Sequence, residues 1–258
     1  MRLQDKVIVI TGSCTGIGKA IARRCVEEGG KVVVHGLQPE LGADLVQELG
    51  ESKAALHIED LTHEHCPERL VDLATSTFGR LDAIVNNAAL TARGNIRTTD
   101  SDFFAQMLAV NVLAPFRLIK AALAKLSECR GCVLNIGSAN AYGGEPNLLP
   151  YSVSKGALMT LTRNLGDSLF RDEGVRVNQI NPGWVLTESE LELKRRDGLP
   201  DDWYKSMPKA LAPSGSLLRP EEIAVAAVYW LSDESESISG QVVDIAQHPA
   251  TGRILPHE

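Results

Sequence analysis

The chain has 258 residues, 44% of them hydrophobic, and a net charge of −7 from 26 Lys and Arg against 33 Asp and Glu. That length can bury a sizeable core without disulfides or metals, and the acidic balance argues against nucleic acid as a main partner. The five cysteines, Cys14, Cys25, Cys66, Cys129 and Cys132, are scattered and odd in number, which suits a reducing compartment. Cys129-Arg-Gly-Cys132 is formally C-x-x-C, but no second pair stands at zinc spacing, so no metal site is expected. No apolar stretch approaches the roughly 20 residues of a membrane span. Met1 to Lys6 places charges directly before a strand, without a signal peptide's apolar core. The expectation is a cytoplasmic protein that works away from membranes and nucleic acid.

Lys6 to Thr11 is a β-branched run of the kind that forms a buried strand. Thr11-Gly-Ser-Cys-Thr-Gly-Ile-Gly18 follows, and Lys19 to Glu28 has a helical pattern. Gly12, Gly16 and Gly18 permit a tight turn and let backbone N–H groups approach a pyrophosphate at the helix N-terminus. Further strands are predicted at Lys31–His35, Ala54–Ile58, Leu81–Val85, Cys132–Ile136 and Val175–Ile180. Asp102–Leu126 and Tyr151–Phe170 read as helices. Connections are short, and no linker, low-complexity run or internal repeat interrupts the alternation, so one α/β domain over residues 1–258 is expected.

Tyr151 and Lys155 stand four residues apart, with Ser138 thirteen residues before the tyrosine. Residues at i and i+4 share one helix face, so the ammonium would lie beside the phenol. A free tyrosine has a pKa of about 10 and is a poor acid or base near neutrality. A cation at about 4 Å favours the phenolate by at most roughly 4 kcal/mol at an effective dielectric of 20, with desolvation pushing the other way. Such a group is suited to interconverting an alcohol and a ketone.

With Asp60-Leu61 after the third strand, Asn86-Asn87-Ala88-Ala89 closing the fourth and Asn181-Pro-Gly183 after the sixth, the chain resembles the short-chain dehydrogenase/reductase family from about Lys6 to Gly240. The resemblance implies a Rossmann-like, doubly wound parallel sheet with helices on both faces. It implies catalysis by Asn111, Ser138, Tyr151 and Lys155. Tyr151 would exchange the proton, Lys155 would lower its pKa and bind the nicotinamide ribose, Ser138 would hold the substrate oxygen, and Asn111 would position a relay water. Cofactor contacts would come from Gly12, Cys14, Thr15, Gly16, Ile17 and Gly18, from His35, Gly36 and Leu37, and from Asp60 and Leu61. Asn87, Ala88, Ala89, Tyr151, Lys155, Pro182, Gly183, Val185 and Thr187 would complete them. Substrate would meet Ser138, Asn140, Glu145, Tyr151 and Trp184, beneath a lid at residues 188–215. The helices Asp102–Leu126 and Tyr151–Phe170 resemble those through which family members assemble, usually as tetramers.

The cofactor choice rests on the end of the second strand, His35-Gly36-Leu37-Gln38. It carries neither the acidic residue usual with NAD nor a cation suited to NADP. A 2′-phosphate needs a cation, whereas a hydroxyl needs only a neutral partner such as His35 or Gln38, so NAD is favoured and NADP remains the alternative. Asn140, Glu145 and Asn147 offer polar groups for a hydroxylated substrate such as a sugar or polyol. The alternatives are a 3-oxoacyl thioester reductase using NADPH and a non-catalytic dinucleotide-binding relative. The tail from Asp244 to Gly252 departs from the family ending, and its His248 is a candidate substrate contact. A thiol reagent at Cys14 would block the cofactor.

Overall fold

Val7–Ile10 forms β1, four consecutive buried residues whose side chains alternate between two cores. Ile8 and Ile10 join one core and Val7 and Val9 the other, so the strand is covered on both faces, as parallel sheets require. The structure is a computed structural model that describes residues 1–251. Six more strands follow: β2 (Lys31–Gly36), β3 (Ala54–Ile58), β4 (Ala83–Asn86), β5 (Cys132–Ile136), β6 (Arg176–Pro182) and β7 (Val242–Ile245). All pair in parallel, in the order β3-β2-β1-β4-β5-β6-β7. The strand order therefore reverses between β1 and β4, and the crevice beyond their carboxyl ends is where such sheets bind ligands.

The helices form a layer on each face. Helices α1 (Gly16–Glu27), α2 (Pro39–Leu49) and α8 (Pro220–Leu231) pack Ile21, Leu45 and Ile223 onto the Ile8 face. Helices α3 (Cys66–Phe78) and α5 (Ala114–Cys129) cover the Val7 face through Leu70, Ala74 and Leu118. Helix α6 (Leu149–Glu173) adds Leu165 and Leu169 to that side. This is the expected doubly wound sheet with helices on both faces.

Two expectations change. The helix foreseen over Asp102–Leu126 is α4 (Ser101–Leu108), a π-helical turn at Ala109–Leu113 and then α5. Pro115 lacks the N–H that would bond the Asn111 carbonyl, and the ladder steps to i+5, with Ala114 N donating to the Ala109 carbonyl. The last strand, β7, starts only at Val242, because Gly240, at φ +74°, bends the chain against Gly166 of α6. Finally, residues Ser101–Cys129 contain an 18-residue window of mean hydropathy 1.6, apolar and long enough by composition to span a membrane; 39% of that window is buried here. Its buried side chains belong to the core beneath α5, the same signal that any core helix produces.

Candidate active site

The glycine turn lies at the strand-order reversal and is bound to the end of β4. The Asn87 side-chain amide donates to the Thr11 and Gly12 carbonyls at 2.9 Å each, and Thr11 Oγ1 accepts the Asn87 and Ala88 amides at 3.0 Å. A Cβ on Gly18 would run into the Gly12 carbonyl oxygen and Asn87 Nδ2. Gly18→Ala is therefore expected to cost about 1–3 kcal/mol through overpacking and to weaken dinucleotide binding. Thermal unfolding with and without NADH checks both.

The site residues arrive from several elements. Ser138 follows β5, its backbone amide donating to Asn181 Oδ1 at 3.1 Å and its hydroxyl accepting the Asn140 amide at 3.2 Å. Tyr151 and Lys155 sit in the first turns of α6, and Ser138 is the hydrogen-bonding group that acts on the phenol. Lys155 is buried, its Nζ 5.6 Å from the Tyr151 ring centre and 2.8 Å from the Ile136 carbonyl. Burial lowers the Lys155 ammonium to about 8. The phenol differs from expectation: burial raises it above its ordinary value, Ser138 pulls it down, and Lys155 is not among the groups that shift it. Desolvation outweighs the Ser138 hydroxyl.

Asn111 lies in the π-turn with its side chain fully engaged. Its Oδ1 accepts the Leu90 amide at 2.8 Å, and its Nδ2 donates to the Leu90 carbonyl at 3.0 Å and to Ser154 Oγ at 2.9 Å.

Other candidates have protein partners or exposure of their own. His35 faces the core rather than a ribose: it is 2% exposed, its Nδ1 accepts the Gly12 amide at 3.4 Å and its Nε2 lies 3.8 Å from Cys66 Sγ. Burial and the neighbouring His57 lower it to about 4, so the ring is neutral. Gln38 and Leu37 remain exposed beyond the strand. Cys14 is buried under Gly36, and burial raises its thiol, which makes it a poor target for thiol reagents. Asp60 accepts the amide and hydroxyl of Thr62 at 2.8 and 2.7 Å, and Leu61 is buried behind it. Glu145 is exposed, while Asn147 bonds Asn95 and Gly94 of the facing loop. Val185 pairs as a bridge with Leu218, and the Thr187 hydroxyl caps helix α7 (Glu188–Arg196) by accepting the Glu190 amide at 3.1 Å. His248 is engaged with the neighbouring Pro249 carbonyl; Gly252 onward lies outside the described residues.

Beyond β3, His57, Glu59 and Cys66 bring ligand-type atoms within 4.8 Å of one another. Glu59, however, is doubly bonded by Arg69, and also meets His57 Nε2 at 2.8 Å and His63 Nδ1 at 3.2 Å. Burial raises the Cys66 thiol to about 12. The cluster is organised as an ion pair around Glu59.

One arrangement went unread in the sequence. Asn86, Asn135, Thr162, Gln179 and Asn181, all buried, form a hydrogen-bonded chain across β4, β5, α6 and β6, with links of 2.7–2.8 Å. It ends on Asn181, which holds the Ser138 amide and donates to Asp244 of β7 at 3.1 Å. Gly137 accommodates it, since a Cβ there would strike Asn181 and Gln179. The signal was available: amides inside otherwise apolar strands must find partners.

The residues of this crevice suit a dinucleotide. The first α1 amide, Gly16 N, takes an anion, the Glu188 carboxylate at 3.0 Å, and no side chain projects from Gly12, Gly16 or Gly18 themselves. With the phenol, hydroxyl and ammonium at the neighbouring strand end, the fold and site are those of a nicotinamide-dependent oxidoreductase. A family model described as Enoyl-(Acyl carrier protein) reductase matches residues 12–246, and the chain belongs to the short-chain dehydrogenase/reductase family. It is 35% identical to an uncharacterized oxidoreductase of Thermotoga maritima, over 95% of this chain and 97% of that protein. It is 37% identical to L-fucose dehydrogenase of Mus musculus, over 90% and 84%. It is 29% identical to the NADP-dependent (R)-specific alcohol dehydrogenase of Lentilactobacillus kefiri, over 93% and 94%. The chain is an NAD(P)-dependent oxidoreductase.

Proposed function

We propose that the protein oxidises a polar secondary alcohol, such as a sugar or polyol, or reduces the matching ketone, with NAD as the preferred carrier. The observation that carries this is Lys155, buried in the first turns of α6 with its Nζ 5.6 Å from the Tyr151 ring centre. Hydride transfer is what a bound nicotinamide supplies. Tyr151 exchanges the proton with the substrate oxygen, and Ser138 holds that oxygen, with its own backbone anchored by Asn181. Lys155 holds a positive charge beside the phenol, and Asn111, its side chain committed to Leu90 and Ser154, positions a relay water.

NAD is favoured because Leu37 and Gln38, exposed after β2, present no cation to a 2′-phosphate, and His35 is turned inward. The L-fucose dehydrogenase relative supports a sugar-like substrate. The competing reading, a thioester reductase using NADPH, draws on the description of the family model. Residues 188–215 serve as the substrate lid in a one-domain chain. Exposed Leu113 of the π-turn, Phe116 of α5 and Val153 of α6 suit a homo-oligomer, a tetramer by family habit, in the cytoplasm. Thermal unfolding at matched NADH and NADPH concentrations is expected to show the larger stabilisation with NADH. Turnover across sugars, polyols and 3-oxoacyl thioesters follows. A larger rise with NADPH, together with thioester turnover, would favour the second reading.

A further inference from the structure

Two helix N-termini face each other at the glycine turn. Helix α1 opens at Gly16 and α7 at Glu188, and Glu188 Oε2 accepts the Gly16 amide at 3.0 Å. The contact depends on a glycine: Gly16 has φ +56°, and a Cβ there would already meet Thr187 Cγ2 at 3.4 Å. Thr187 caps α7, which fixes Glu188 on the first helical position and aims it back at α1. Gly16 N is one of the donors that the turn presents to a pyrophosphate, since it has no partner within its own helix. A carboxylate and a phosphate oxygen cannot share it: both are anions, and each repels the other at that distance.

We infer that Glu188 is an internal competitor for the pyrophosphate seat. The inference rests on the dinucleotide reading above. In the ligand-free chain Glu188 holds the seat; the incoming cofactor expels it, so this one side chain sets dinucleotide affinity and couples binding to the start of the lid. The far side of α7 is tethered to a tryptophan pair. Trp184 Nε1 donates to Glu190 at 3.0 Å, and Lys194 lies 5.2 Å from the Trp184 ring and 5.8 Å from the Trp203 ring, which stack at 5.4 Å. Expulsion of Glu188 is therefore reported by indole fluorescence.

The test titrates wild type, Glu188→Gln and Glu188→Ala with ADP-ribose, NADH and NADPH by calorimetry and tryptophan emission. Ligand-free unfolding serves as the folding control. A competitor seated about nine-tenths of the time weakens apparent affinity about tenfold. Glu188→Ala is thus expected to bind ADP-ribose about tenfold more tightly than wild type. Glu188→Gln, which keeps a neutral acceptor without the charge, should fall between them. The wild-type emission change on ADP-ribose binding should shrink in the alanine variant, whose lid is already released. Affinity equal to or weaker than wild type in variants that unfold normally overturns the inference. If the alanine variant does not fold, the glutamine variant decides alone. If no form binds any of the three ligands, the dinucleotide reading falls and takes this inference with it.

Discussion

Tyr151→Phe is expected to lower turnover by about 10²–10⁴-fold, the usual worth of a positioned acid or base, with NADH affinity and unfolding midpoint close to wild type. The substitution removes one hydroxyl that faces Ser138 and leaves the ring in place. In the ligand-free chain that phenol lies above its ordinary value, because burial outweighs the Ser138 hydroxyl. The charge on hand to favour the phenolate is the buried ammonium of Lys155, 5.6 Å from the ring centre. Steady-state rates with the best alcohol, alongside NADH titration, test the assignment. Parental turnover in the phenylalanine variant would refute the proton-transfer role outright.

Lys155→Met should abolish activity and yet stabilise the ligand-free protein. The ammonium is 2% exposed, bonds the Ile136 carbonyl at 2.8 Å, and is lowered from 10.5 to about 8 by burial. At about 1.4 kcal/mol per pH unit, keeping it charged costs the folded state about 3 kcal/mol. Methionine removes that cost and loses one hydrogen bond worth about 1–2 kcal/mol, so a net gain of about 1–2 kcal/mol at pH 7 is expected, in line with other replacements of buried charge. The pH dependence follows. The unfolded chain keeps the proton up to 10.5 and the folded chain only to about 8, so unfolding takes up a proton between those values. Wild-type stability from this group accordingly rises with pH over that window. The variant's advantage is full below pH 8 and shrinks as pH approaches 10.5. Denaturant melts of both proteins at pH 7 and pH 10 decide it: a methionine variant less stable at pH 7 would mean that the carbonyl bond dominates.

Binding of a nicotinamide cofactor would then turn a ligand-free liability into function. The cost of burying Lys155 is present before any ligand arrives, and so is the Glu188 contact on Gly16.

Six of the seven strands, in chain order, and the glycine turn were legible in local sequence patterns. Short β-branched runs such as Val7–Ile10 can be satisfied only in a sheet covered on both faces, and the glycines at 12, 16 and 18 announce a turn that side chains would block. The i, i+4 spacing of Tyr151 and Lys155 holds in any helix, so their adjacency was legible before folding. Direction and environment were not. His35 alternates inward on β2 because Ser13, Gly12 and Cys66 build a pocket for it, and those partners come from other elements. The phenol's upward displacement depends on how much water the packing of α6 excludes, a quantity that no spacing encodes. The amide chain ending at Asn181 and the Glu188 carboxylate on Gly16 join residues from distant parts of the chain. Local patterns choose backbone conformation because that choice is made within a few residues; solvation and the partners of a buried polar group are settled only when the sheet and its helices close around it.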